Sequence, residues 1–218
     1  MIESANGLIL RAQPFTETSL IVHWLTRDQG RLATVAKGAR RPRSPFLGKL
    51  DLFYRADFSF SRSRVSTLHT LREVSLRETG KCLREDLQRL RVAAYAAAFI
   101  EQATEVETPL PAIFELAAGL LDCLERRPPV PALVFAFELK LLDDLGLGPD
   151  PDQLGLTAGA KQIVRSLAGN DWPAISRLRL APAQVEELKQ FLHGFLIFHL
   201  GRLPRGRAGA LATPLPGH

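Results

Sequence analysis

The chain has 218 residues, 46% of them apolar, with 28 Lys and Arg against 23 Asp and Glu, a net charge of +5 and a pI near 9.6. That apolar content supports a packed core and excludes global disorder. Two distant cysteines, Cys82 and Cys123, exclude a disulfide framework and a cysteine-rich zinc site.

The first 77 residues read as strands. GLILRA, SLIVHWLT and RLATVAK are short, rich in branched apolar residues, and separated by the polar breaks PFTET and RDQG. The next stretch, Arg31 to Leu50, holds six cations (Arg31, Lys37, Arg40, Arg41, Arg43, Lys49) and no carboxylate. Gly38, Pro42, Pro45 and Gly48 break its second half into a flexible loop, with Phe46 in the middle. Cations neutralise phosphates and release counterions. An aromatic offers a face for a base, and glycine lets the main chain come close. The bland reading is a solvated charged loop. LDLFYRADFSFS and VSTLHTLREVSL follow as two more strands joined by SRSR. Five short strands in about 70 residues suggest a closed barrel of the OB type, with a small sandwich or an SH3-like barrel as the other patterns. Arg11 with Phe15, Trp24, and Phe46 are three aromatic positions that could stack bases; Trp24 reads as core, Phe46 as exposed.

From Thr79 the apolar period becomes helical. A long helix runs from an N-cap at Thr79 to about Glu105. A second begins at Thr108-Pro109, with the stripe Ile113, Leu116, Leu120, Leu124, and ends at Arg127. A third covers Ala132 to Leu145 and stops at Gly146. A short one covers Lys161 to Leu167, and the last runs from Pro182 to about Leu200. The domain reading is 1–78 barrel, 79–204 helical, and 205–218 disordered tail: an α+β chain with a basic module on a near-neutral scaffold. Residues 1–77 carry a net +7 and residues 78–218 a net −2.

No chemistry emerges from the motifs. There is no GxSxG and no Walker sequence. His193 and His199 are six apart on a helix and cannot share a ligand; Glu101 and Glu105 read as a solvated face. The expected catalytic, cofactor and metal residues are none. MIESANGLIL lacks the cationic start of a signal peptide, and no apolar run reaches the roughly 18 residues a membrane span needs, so a cytoplasmic location and no membrane partner are expected.

The run from Gly7 to Phe53 resembles the start of the bacterial recombination mediator family RecO. Its parts are a Gly-apolar strand, an acidic-Ser loop at Glu17 to Ser19, Thr26 and Gly30 at the next turn, the box Ala36 to Arg41, and Ser44. Weaker matches are the segment of the first helix, Phe114-Glu115-Leu116, Phe137 to Asp150, and HLGRLPRGRAGAL near the C-terminus. The resemblance implies an OB domain followed by a helical domain, with no catalysis. It implies binding to single- and double-stranded DNA, annealing of complementary strands, and help in loading a recombinase onto strands coated by single-strand-binding protein. It also implies two protein partners, a RecR-type mediator and the acidic C-terminal tail of the single-strand-binding protein. DNA contacts are expected from Arg11, Arg31, Lys37, Arg40, Arg41, Arg43, Phe46 and Lys49. The tail pocket is expected from Phe137, Lys140 and Leu141 with Phe191, Phe195 and Arg202. Many members carry a four-cysteine zinc module where this chain has Pro149 to Gly159, which holds no cysteine, so a zinc-free member is expected. The alternatives are an OB-type RNA-binding protein associated with translation or the ribosome, and an enzyme assembled from residues read here as structural.

Overall fold

A computed structural model describes residues 1–212. The chain divides into two compact units: residues 1–80 with 104–115, and 81–103 with 116 onward.

The first unit is a closed barrel of five strands, β1 (Ile2–Pro14), β2 (Leu20–Thr26), β3 (Gly30–Ala36), β4 (Arg55–Ser61) and β5 (Leu68–Glu78), in the order β1-β2-β3-β5-β4. β1 is long enough to serve both edges. Its first half pairs with β4 and its second half with β2, the two overlapping at Gly7 and Leu8, and a register shift between Ile9 and Arg11 interrupts the pairing with β2. All pairings are antiparallel except β3 with β5, as the OB topology requires. Alternation sends Val22, Trp24, Leu32, Phe58, Phe60 and Leu71 inward. Trp24 stacks on Phe58 at 4.0 Å and donates its indole N–H to Thr34 Oγ1 at 2.8 Å, so its polar atom is satisfied in the core.

The fourth strand starts later than its alternation predicts. Phe53 has φ 63°, which ends the extended run, and its N–H donates to Ile9 O at 2.9 Å. The stretch before Arg55 is therefore a turn pinned to β1.

Residues 104–115 lie far along the chain yet complete the barrel unit. Glu107 N–H donates to Arg31 O at 2.8 Å. The Arg31 guanidinium holds both Thr104 Oγ1, at 2.8 Å, and Thr104 O. His69, 1% exposed, accepts from Ser63 N–H at Nδ1, which leaves Nε2 to donate to Glu107 Oε1 at 2.8 Å. Arg62 grips both Glu3 oxygens, Gln29 and Glu107. Gly30 is required at its place: φ is 69°, and a Cβ would collide with the Thr108 backbone.

The second unit holds α1 (Lys81–Glu85), α2 (Leu87–Ala103), most of α3 (Pro111–Arg126), α4 (Pro131–Asp144), α5 (Ala158–Gly169), α6 (Trp172–Ile175), α7 (Pro182–Leu200) and α8 (Arg207–Ala210). The single helix expected from Thr79 is two. Asp86 breaks it, and its carboxylate caps the new start by accepting from Gln88 and Arg89 N–H at 2.8 and 3.2 Å. α4 runs through the centre of this unit, buried from Ala132 to Leu142 save for Lys140. α7 ends at Gly201 with φ 73°.

The tail expected to be disordered from residue 205 is ordered through residue 212. Arg207, 5% exposed, donates from Nε and Nη2 to the two oxygens of Glu138, 0% exposed, at 2.7 and 2.9 Å. Tyr95 Oη donates to Glu138 Oε1 at 2.5 Å, and Gln88 Nε2 donates to Ala210 O at 2.8 Å. A buried ion pair fixes the segment, against its Gly-rich composition. Residues 213–218, also expected to be disordered, lie outside the described residues.

Candidate nucleic-acid interface

Two turns meet beside the barrel. The β1–β2 turn closes on itself through Phe15 N–H to Ser19 O at 3.0 Å and Ser19 N–H to Thr16 Oγ1 at 3.1 Å. The longer β3–β4 connection is a succession of turns, each tied backward: Arg41 N–H to Gly38 O at 3.1 Å, Ser44 N–H to Arg41 O at 3.1 Å, Leu47 N–H to Ser44 O at 3.2 Å, Lys49 N–H to Phe46 O at 3.0 Å. Arg40 joins the two turns. Its backbone N–H donates to Thr18 O at 2.9 Å and its Nη1 to Thr16 O at 3.1 Å. The basic loop is thus a clasped ridge and not the flexible segment its glycines and prolines suggest.

Phe46 explains the anchoring and corrects an expectation. It is 6% exposed and packs in the barrel core with Ala39. Its ring therefore offers no open stacking face. It holds the ridge down while Lys37, Arg40, Arg41 and Arg43 stand exposed. Arg31 is half-buried and binds Thr104, so it ties the 104–115 segment and does not stand among them. Lys49 sits apart in an open depression of about 420 Å³ with Pro45, Ser59, Arg72 and Glu73, a wall of mixed charge. A second depression of about 370 Å³ lies where the two turns meet. Phe15, Lys37 and Arg41 line it, with Val35 and Ser19 also on its walls. Thr16 and Thr18, which border it, were not singled out from the sequence; a Thr-x-Thr-Ser turn next to an aromatic was the available signal.

Arg11 lies on β1 opposite His23, and its Nη2 donates to His23 Nε2 at 3.3 Å. An accepting ring must be neutral there. Burial, then the charges of Arg11 and Arg31, push the His23 pKa down to about 4. An unfolded chain would take up that proton near 6.5, while the barrel refuses it until about 4. Between these values the unfolded state binds more protons, so stability is whole above 6.5 and falls as pH drops. The His23→Gln variant is expected to lose less stability than the parent between pH 7 and 5, as measured by denaturant titration at each pH.

In the helical unit the expected tail pocket does not assemble as drawn. Phe137 and Leu141 are 1% and 0% exposed on the central helix and are inaccessible to a ligand. Lys140 donates to Ala168 O at 2.7 Å. Phe191 and Phe195 are half-buried on α7, 5.5 Å apart, with His199 4.4 Å further along and Phe198 exposed beside them. Arg202 is exposed and borders an open depression of about 320 Å³ with Gln102, Leu203 and Arg205.

Two thiols do not fit a zinc site. Cys123 is buried, its Sγ donating to Trp172 O at 3.7 Å, and Cys82 lies on α1. Among the described residues no three His, Cys, Asp or Glu side chains gather to hold a metal. In the segment where the resemblance puts a zinc module, Asp152 pairs with Arg165, and Asp150 caps a short turn at Pro151–Gln153. None of the helices among the described residues is long and apolar enough to cross a membrane.

Residues 1–79 match the family described as recombination protein O N terminal, and residues 84–153 match recombination protein O C terminal. The chain is 34% identical to a DNA repair protein RecO of Anaeromyxobacter dehalogenans (strain 2CP-C) and 30% identical to that of Anaeromyxobacter sp. (strain K). Each alignment covers 90% of this chain and 91% of the relative. It is 29% identical to the DNA repair protein RecO of Bacillus pumilus, over 93% of this chain and 81% of the relative.

Proposed function

The chain belongs to the recombination protein O family of DNA repair proteins, and from that premise we propose that it is a non-enzymatic mediator that anneals complementary single strands and helps load a recombinase onto DNA coated by single-strand-binding protein. One observation carries the reading most: the exposed cations Lys37, Arg40, Arg41 and Arg43 stand on a ridge rigidly anchored to an OB barrel. Two strands repel through their phosphates. A fixed row of cations lowers that repulsion, and base pairing then supplies the driving force. A rigid row does this better than a mobile loop, because less side-chain and backbone freedom is lost on binding.

The RecR-type mediator and the acidic tail of the single-strand-binding protein remain the proposed protein partners. With Phe137 and Leu141 in the core, the aromatic face of α7 at Phe191 and Phe195 is the better seat for the terminal aromatic of such a tail. The deciding experiment is annealing of complementary labelled strands, naked and coated with the cognate single-strand-binding protein. Faster annealing in both cases is expected. No acceleration of naked strands at any salt would overturn the proposal, and acceleration confined to naked strands would remove the action on coated DNA that the loading role requires.

A further inference from the structure

We propose that the depression between the β1–β2 turn and the basic ridge seats one unpaired nucleotide of single-stranded DNA, its base on the Phe15 ring and its phosphate between Lys37 and Arg41. This rests on the DNA-binding reading above and adds to it a contact that depends on a base. Phe15 is 53% exposed, an aromatic ring at the surface beside two exposed cations. The ring comes from one turn and the cations from another, Phe15 and Lys37 being 22 positions apart, and both turns are locked to one another by Arg40. Its main-chain N–H donates to Thr18 O and its Nη1 to Thr16 O, while the residue stays exposed on the ridge and does not line the depression. Lys37 and Arg41 are the cations of that wall left facing the depression. The volume, about 370 Å³, falls in the range of small-ligand sites. At Gly38, φ is 70°, and the Arg41 side chain passes over it, its Cδ 3.6 Å and its Nε 3.8 Å from where a Cβ would stand, so the glycine lets the guanidinium stem lie close against the wall of the depression. Glu17 is exposed on the same turn and does not line the depression.

The chemistry selects the occupant. Lys37 and Arg41 alone would take any phosphate, paired or not. An exposed ring gains only from a base whose face is free, and in a duplex those faces are covered by neighbouring bases. The site therefore gives the protein a preference for unpaired strands that charge alone does not give. It also holds a base outside any helix, where a complementary strand can still reach its pairing edge.

The test compares an oligo-dT with an abasic oligomer of equal length, hence equal charge, by fluorescence anisotropy at one salt concentration. The parent should bind oligo-dT about tenfold more tightly than the abasic strand. Phe15→Ala and Phe15→Leu should both abolish that ratio and leave the salt dependence unchanged; the leucine variant keeps apolar bulk and guards against a loss of fold. Arg41→Ala should keep the ratio and reduce the salt slope by about 0.7. Equal parent affinity for the two strands, or a ratio that survives both Phe15 substitutions, overturns this inference and leaves DNA binding standing. Failure to bind either strand overturns the DNA-binding reading itself.

Discussion

Replacing Arg40, Arg41 and Arg43 together by alanine is expected to flatten the salt dependence of single-strand binding by about two units. Each neutralised phosphate contributes a slope near 0.7 on a logarithmic scale, and three cations are removed. With Lys37 included, four phosphate contacts give the parent roughly a fiftyfold loss of affinity between 50 and 200 mM salt. The variant, keeping Lys37, should lose only about threefold. All three arginines are exposed, and the variant keeps the Arg40 main-chain bond to Thr18 O, losing only the exposed side-chain bond to Thr16 O, so melting should change little. An unchanged slope in a variant that melts like the parent would mean that the ridge does not meet the phosphates.

Arg207→Ala should be the most damaging single substitution in the helical unit. It strands the Glu138 carboxylate, 0% exposed, with the Tyr95 hydroxyl as its one remaining partner among the described residues. Breaking a buried pair by removing one partner costs about 3–5 kcal/mol. At about 2–4 °C per kcal/mol for a chain of this size, melting should fall by roughly 6–20 °C. Replacing both partners, Arg207→Met with Glu138→Leu, should recover most of that loss, because two apolar side chains leave no buried charge. Tyr95 reports on the same pocket: burial, then the adjacent Glu138, holds its phenol far above the usual range, so it should not ionise in alkaline titration of the folded protein. A melting change of under two degrees for Arg207→Ala would refute the role given to this pair.

The strands of the barrel were legible because period-two alternation and polar breaks are local signals. The same holds for α4 and α7, whose limits at Gly146 and Gly201 follow from positive φ. What escaped the sequence depends on partners far along the chain. Phe46 has cations and prolines as neighbours and no period, so nothing local says that its ring enters the core. Phe137 and Leu141 lie on a helix that carries apolar residues on several faces, and α4 is buried on nearly all sides; which elements cover each face is set by segments far along the chain and not by the helix's own pattern. Arg207 and Glu138 are 69 positions apart, and a glycine-rich tail carries no local sign that one of its arginines is spoken for. The basic ridge was visible as composition; its rigidity was not, since that comes from Arg40 reaching a different turn.

The segment 104–115 has a consequence for synthesis and dissection. The chain leaves the barrel unit after residue 80, returns for residues 104–115, and leaves again. A ribosome therefore delivers the five strands well before the residues that cap Arg31, His69 and Arg62. Until then the nascent barrel exposes polar groups that the finished one satisfies, and α2 waits for the rest of its own unit. No single proteolytic cut can part the two units, because every nick leaves at least one fragment carrying pieces of both. A fragment ending near residue 79, the natural choice from the family match, lacks a component of its own unit. A separable barrel would need residues 104–115 grafted back by a linker in place of α1 and α2.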